Sequence, residues 1–144
     1  ENYADLKAKL SAKGVKFISD TDTEVLVQLI EYIREQKNAD LLTAVQLALH
    51  EVIGAYAIAV LDRNDPDQIV AARKQSPLVV GIGEDEFFIG SDASPLIEYT
   101  DKVVYLEDGN IAVIRRGEEL EVVNIYNRKI NPEIQTVDIN LGQI

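Results

Sequence analysis

Cysteine, methionine and tryptophan are absent from the 144 residues, and histidine occurs once. Without cysteine the chain holds no disulfide framework, no thiolate metal site and no thiol nucleophile. The lack of methionine bears on the polypeptide itself. A translated chain starts with Met, which is normally trimmed only before a small residue, so an opening of Glu1-Asn2-Tyr3 leads us to expect a piece of something longer. Basic residues are in the minority, 14 Lys plus Arg against 25 Asp plus Glu, for a formal net charge of -11. They fall singly or in pairs with no aromatic residues interleaved, which argues against a nucleic-acid partner, because phosphate binding needs clustered cations. Long apolar runs are missing too. The longest, Ile53 to Leu61, is half the ~20 residues a helix needs to cross a bilayer, and no signal-peptide pattern is present. We therefore expect no membrane partner and a cytoplasmic location.

With 47% hydrophobic and 27% charged residues, the chain has the composition of one ordinary globular domain with one core. Its front reads as helical. Leu6 and Leu10 share a helix face over Ala4 to Lys13, with Gly14 as the stop, and Val15 to Ser19 suits a short strand. Small oxygen-bearing side chains from Ser19 to Glu24 precede Val25, Leu26, Leu29, Ile30 and Ile33, which is how a capped helix begins, here over about Thr23 to Gln36. Asp40 reads as the N-cap of the next helix, with Gly54 as its end.

The back reads as strands. Ala55 to Leu61, Gln68 to Ala72, Leu78 to Ile82, Phe87 to Gly90, Val103 to Leu106, Ile111 to Ile114 and Leu120 to Ile125 are short apolar runs separated by turn signals, with a small helix at Ala93 to Tyr99. The strongest hairpin signal is Asp108-Gly109. The fold class expected is α+β, with sheet packed on sheet and helices covering the outside, because strands apolar on both faces must be covered on both sides.

Candidate sites are few. His50, alone and near a helix C-terminus, is read as structural, and no metal site is expected. Ser91, His50 and Asp92 make a triad only on paper, since triads are recognised by geometry. Gly81-Ile82-Gly83 resembles a phosphate loop, but Glu84-Asp85-Glu86 puts three negative charges where a phosphate would sit, so a turn is expected. In Asp20-Thr21-Asp22-Thr23-Glu24, three carboxylates in five residues serve either to cap the following helix or to bind a cation or a substrate ammonium. Capping uses one acceptor oxygen and leaves another acid free to reach outward, so an amino group is the preferred ligand.

Several segments together resemble a known family. Glu1-Asn2-Tyr3, Leu6 to Leu10, Lys13-Gly14 and Ser19 to Val25 are similar to the glutaminase domain of the glutamine:fructose-6-phosphate aminotransferase (isomerizing) family. So are Gly54 to Ala57, Ile69 to Gly81 with its Ala-Arg-Lys-x-Ser-Pro-Leu, Phe88 to Asp92, and Tyr105 to Ala112. The likeness runs in order over positions 1 to 115; residues 116 to 144 match loosely, as a tail towards an interdomain linker. It implies an N-terminal-nucleophile hydrolase fold, an αββα four-layer sandwich, here without its first strands. It also implies a mechanism: an N-terminal cysteine attacks the side-chain amide of L-glutamine, its α-amino group acts as base, and an Asn-Gly pair forms the oxyanion hole. The ammonia then passes to the isomerase domain of the same full-length chain, which makes glucosamine 6-phosphate. The nucleophile, the Arg for the substrate carboxylate and the Asn-Gly pair lie upstream of Glu1 on this reading, so no catalytic residue is expected within residues 1 to 144. Asp22 is the residue that carries over, as acceptor for the ammonium of substrate glutamine. No cofactor is implied, and the parent is expected to be a homo-oligomer. Kindred readings are the glutaminase domain of an amidophosphoribosyltransferase or asparagine synthetase, or a non-catalytic binding module of the same fold.

Overall fold

The computed structural model describes residues 1 to 137; the last seven positions of the loosely matched 116 to 144 tail lie outside the described residues. The chain divides into two compact units, Glu1–Ala55 and the remainder from Tyr56. The first holds three helices and the second two antiparallel sheets, an α+β arrangement. No helix of the described residues is long and apolar enough to cross a membrane.

Helix α1 (Tyr3–Ala12) buries Leu6 and Leu10. It ends as the sequence suggests: Gly14 takes φ +93°, Val15 N donates to Leu10 O and Gly14 N to Ser11 O, the paired bonds of a Schellman stop. Helix α2 (Asp22–Lys37) buries Val25, Leu26, Leu29, Ile30 and Ile33 along one stripe and closes on Asn38 in the left-handed region, which Asn tolerates because its short polar side chain bonds locally. Helix α3 (Leu41–His50) starts on Asp40, whose carboxylate accepts from Thr43 N at 2.8 Å.

Two expectations fail in this unit. Val15 to Ser19 forms no strand, because the N–H groups of Ile18 and Ser19 are taken by the Glu24 carboxylate rather than by a neighbouring chain. Helix α3 stops at His50, short of Gly54. Beyond it the Asn2 side chain donates to Glu51 O at 2.8 Å and accepts from Ile53 N at 2.9 Å, holding that stretch as a turn.

The second unit contains β1 (Tyr56–Asp62), β2 (Asp65–Lys74), β3 (Val79–Ile82), β4 (Phe87–Gly90), β5 (Lys102–Tyr105), β6 (Asn110–Arg115), β7 (Glu121–Asn124), β8 (Lys129–Ile130) and β9 (Gln135–Thr136). They form a five-stranded sheet, β1-β2-β6-β7-β8, and a four-stranded one, β4-β3-β5-β9, antiparallel throughout. Successive side chains point to opposite faces of a strand, and the core follows that alternation. Val80 and Val104 meet Ala71, Ala112, Ile114 and Val122 of the other sheet in one cluster, so sheet packs on sheet. Val79 and Val103 turn to the opposite face, against Ala93 and Leu96.

The helix expected at Ala93 to Tyr99 is a single 3-10 turn, Ser94–Leu96. The hairpin expected at Asp108-Gly109 is a crossing between sheets, since β5 and β6 belong to different ones. A long-range anchor decides it. Arg73, at the end of β2, donates to Leu106 O at 2.8 Å and pairs with Asp108 at 2.7 Å. Asp108 in turn accepts from Gln75 N, and Gly109 N, at φ +81°, donates to Arg73 O.

Candidate functional site

The acidic stretch from Asp20 to Glu24 is the entry to α2, and its residues divide the work differently from the sequence reading. The cap is Thr21, whose hydroxyl accepts from Glu24 N at 3.2 Å. Neither Asp20 nor Asp22 is used for it. Glu24 reaches back in the manner of a capping box, but past the cap residue: its carboxylate accepts from Ile18 N at 3.0 Å, Ser19 N at 2.7 Å and the Ser19 hydroxyl at 2.7 Å. These bonds, the Ile18 N–H first and the Ser19 hydroxyl next, lower the Glu24 carboxyl from 4.5 to about 2. The Ser19 hydroxyl also lies 2.9 Å from that of Thr21.

The latch has a pH signature. A carboxyl whose folded value is depressed contributes stability that is present above its unfolded value and lost as pH falls through the folded one. For Glu24 that window runs from 4.5 down to about 2. Thermal unfolding of the protein and of Glu24→Gln should therefore differ at neutral pH and converge as pH falls across the window. A gap that stays constant down to pH ~2 would show that the carboxylate bonds do not hold the loop.

With the loop pinned by Glu24 and Thr21, two carboxylates face outward. Asp20, fully exposed, stands 3.7 Å from the half-buried Lys7, a solvent-facing pair of the kind that contributes little. Asp22 is the first residue of α2 and exposed, and neither of its oxygens enters a hydrogen bond or ion pair among the described residues. A carboxylate there is favoured by the positive end of the helix. Its neighbour is Tyr3, the first residue of α1; burial, and then the negative charge of Asp22, push the Tyr3 phenol above its ordinary value. The arrangement presents an open anionic acceptor at the helix entry, which suits a small cationic group. Tyr3 escaped the sequence reading because 19 positions separate it from Asp22, and no local spacing signals such a pair.

The other candidates have structural places of their own. His50 is the last residue of α3 in the helical unit, whereas Ser91 and Asp92 belong to the strand unit, where Asp92 accepts from Ser94 N at 3.3 Å. Gly81 sits inside β3, opposite Phe88 and Val103. Gly83 closes the β3–β4 hairpin by donating to Glu86 O, so this segment is the turn expected. Among the described residues no group of three His, Cys, Asp or Glu is placed to hold a metal ion. A groove of about 780 Å³ in the strand unit has an apolar floor with Ile82, Phe87 and Leu120, and a rim that includes Asp85, Glu118 and Glu119.

Comparison with known proteins adds to this geometry. A family model described as a glutamine amidotransferase domain matches residues 1 to 98. The glutamine-fructose-6-phosphate aminotransferase (isomerizing) of Bacteroides thetaiotaomicron is 68% identical over 144 residues, which is all of this chain and 24% of that protein. The enzyme of the same name from Chlorobaculum tepidum is 48% identical over 145 residues, with the same shares covered. That from Thermotoga maritima is 48% identical over 127 residues, 88% of this chain and 20% of its own length. The chain thus spans about a quarter of the first relatives it matches.

Proposed function

Because the chain belongs to the glutamine amidotransferase domain family, we propose that it is the later part of the glutaminase domain of a glutamine:fructose-6-phosphate aminotransferase. In that parent, ammonia released from L-glutamine passes to the isomerase domain of the same polypeptide and converts fructose 6-phosphate to glucosamine 6-phosphate. The observation that carries the reading is the end-to-end likeness of these 144 residues to enzymes of that name. The αββα architecture of N-terminal-nucleophile hydrolases belongs to the same proposal, supported by the two antiparallel sheets packed face to face. So do residues 116 to 144 as the approach to an interdomain linker, a cytoplasmic, homo-oligomeric parent, and chemistry that needs no cofactor.

Asp22 is the substrate contact in this reading. A free amino acid brings an α-ammonium, and an open carboxylate at a helix N-terminus binds it by a charge-assisted hydrogen bond. The Glu24 carboxylate, bound to Ile18 N and Ser19 N, holds the loop that leads into Asp22. The nucleophile comes from elsewhere in the parent, since these residues contain no cysteine.

The test is glutamine-dependent formation of glucosamine 6-phosphate by the full-length polypeptide containing these residues. Ammonia release from glutamine with amination of a different acceptor would overturn the aminotransferase and keep the glutaminase. No ammonia release would overturn both.

A further inference from the structure

Asp22 and Glu24 both lie in the first turn of α2, and residues two apart on a helix do not face each other. Their carboxylates therefore serve different directions. Asp22 is open to solvent, whereas the acceptor capacity of Glu24 is used within the chain. Its Oε1 accepts from Ser19 N and from the Ser19 hydroxyl, both at 2.7 Å, and the Ile18 N–H lies 3.0 Å from Oε2 and 3.2 Å from Oε1. A carboxylate has about four acceptor sites, so the loop donors occupy most of them.

These bonds act on the backbone that carries Asp22. Residues 16 to 20 belong to no helix or strand, and without a ladder their order depends on side chains. The Ser19 hydroxyl, bound to Glu24, lies 2.9 Å from the Thr21 hydroxyl, which in turn accepts from Glu24 N at 3.2 Å. A closed circuit of bonds thus runs from Glu24 back to Glu24 and spans Asp22. Lys7 of α1 approaches the same loop, 5.3 Å from the centre of the Phe17 ring and 3.7 Å from Asp20, but that tie faces solvent and is weak. A binding group keeps its geometry only when the residues behind it are themselves held.

We propose that Glu24 is a positioning residue for the substrate: through Ser19 and Thr21 it fixes the backbone that aims Asp22, and so raises the affinity for the α-ammonium of glutamine without touching it. This rests on the reading of Asp22 as the ammonium contact.

A double-mutant cycle on the full-length parent, read by steady-state kinetics, tests it. Glu24→Ala should raise the glutamine KM roughly 10-fold, with kcat changed far less. Glu24→Gln keeps an oxygen for Ser19 and should recover part of that loss. Ser19→Ala removes one bond of the circuit and leaves the backbone bonds in place; it should show the same pattern at smaller size, so the outcome does not depend on Glu24→Ala folding. In the Asp22→Ala background, Glu24→Ala should leave KM within about 2-fold, because the group it positions is gone. A full, additive rise in that background would overturn the proposal, as would an unchanged KM in both Glu24→Ala and Ser19→Ala, or a loss confined to kcat. Failure of the underlying reading looks different: an unchanged KM in Asp22→Ala alone would remove the ammonium contact and this proposal together, whereas additivity removes this proposal only.

Discussion

In the full-length parent, Asp22→Ala should raise the glutamine KM roughly 10- to 150-fold, the range that follows from losing a hydrogen bond to a charged group worth about 1.5–3 kcal/mol. The turnover number should change far less. The α-ammonium lies away from the amide that reacts, so its contact is equally strong in the ground state and the transition state, and removing such a contact raises KM with little effect on kcat. Stability should be largely preserved, because Asp22 is exposed and the cap is Thr21; the remaining loss is the small interaction with the helix dipole, about 0.3–1 kcal/mol. A glutamine analogue lacking the α-amino group separates a binding role from a structural one. The variant and the unchanged enzyme should handle it alike, and a large difference with that analogue would mean that Asp22 acts on the fold of the site. An unchanged KM for glutamine itself would remove Asp22 from the site.

Residues 1 to 144 alone should release no ammonia from glutamine. Covalent amide hydrolysis needs an activated nucleophile with a base in hydrogen-bond reach, and this chain has no cysteine to provide one. Ser91 is exposed, and the neighbouring Asp92 is engaged by Ser94 N; Ser19 and Thr21 are bound into the Glu24 latch. The loss should be complete within a coupled ammonia assay, with intact mass verified. Release above the buffer blank would contradict the assignment of the chemistry to another part of the parent.

What the sequence could and could not disclose follows from the range of the forces involved. Asp40 as an N-cap and Gly14 as a stop were legible because caps and stops are settled within about one turn. The strand runs were legible from their apolar runs, and Phe87 to Gly90 has the bounds expected. Val15 to Ser19 misleads because its apolar letters suit a strand while the Glu24 carboxylate competes for its amides. Asp108-Gly109 carries the letters of a hairpin, yet Arg73 and Gln75, over thirty residues earlier, bind it as a crossing between sheets. The two-residue strands β8 and β9 are too short to leave a pattern. At the entry to α2 a capped helix start was legible in the acidic run, although an Asp was expected as the cap and Thr21 serves; the role proposed for Asp22 came from the resemblance alone. The split of labour was not legible, with Thr21 as cap, Glu24 as latch and Tyr3 alongside, because it depends on side chains folding back over the helix entry.

The structure of the full-length parent with L-glutamine, or an unreactive analogue bearing the same α-ammonium, tests the account most directly. The account predicts the ammonium nitrogen within hydrogen-bond distance of an Asp22 carboxylate oxygen, about 2.7–2.9 Å for a charged pair. Glutamine bound with its ammonium on other groups, and Asp22 turned to water, would contradict it.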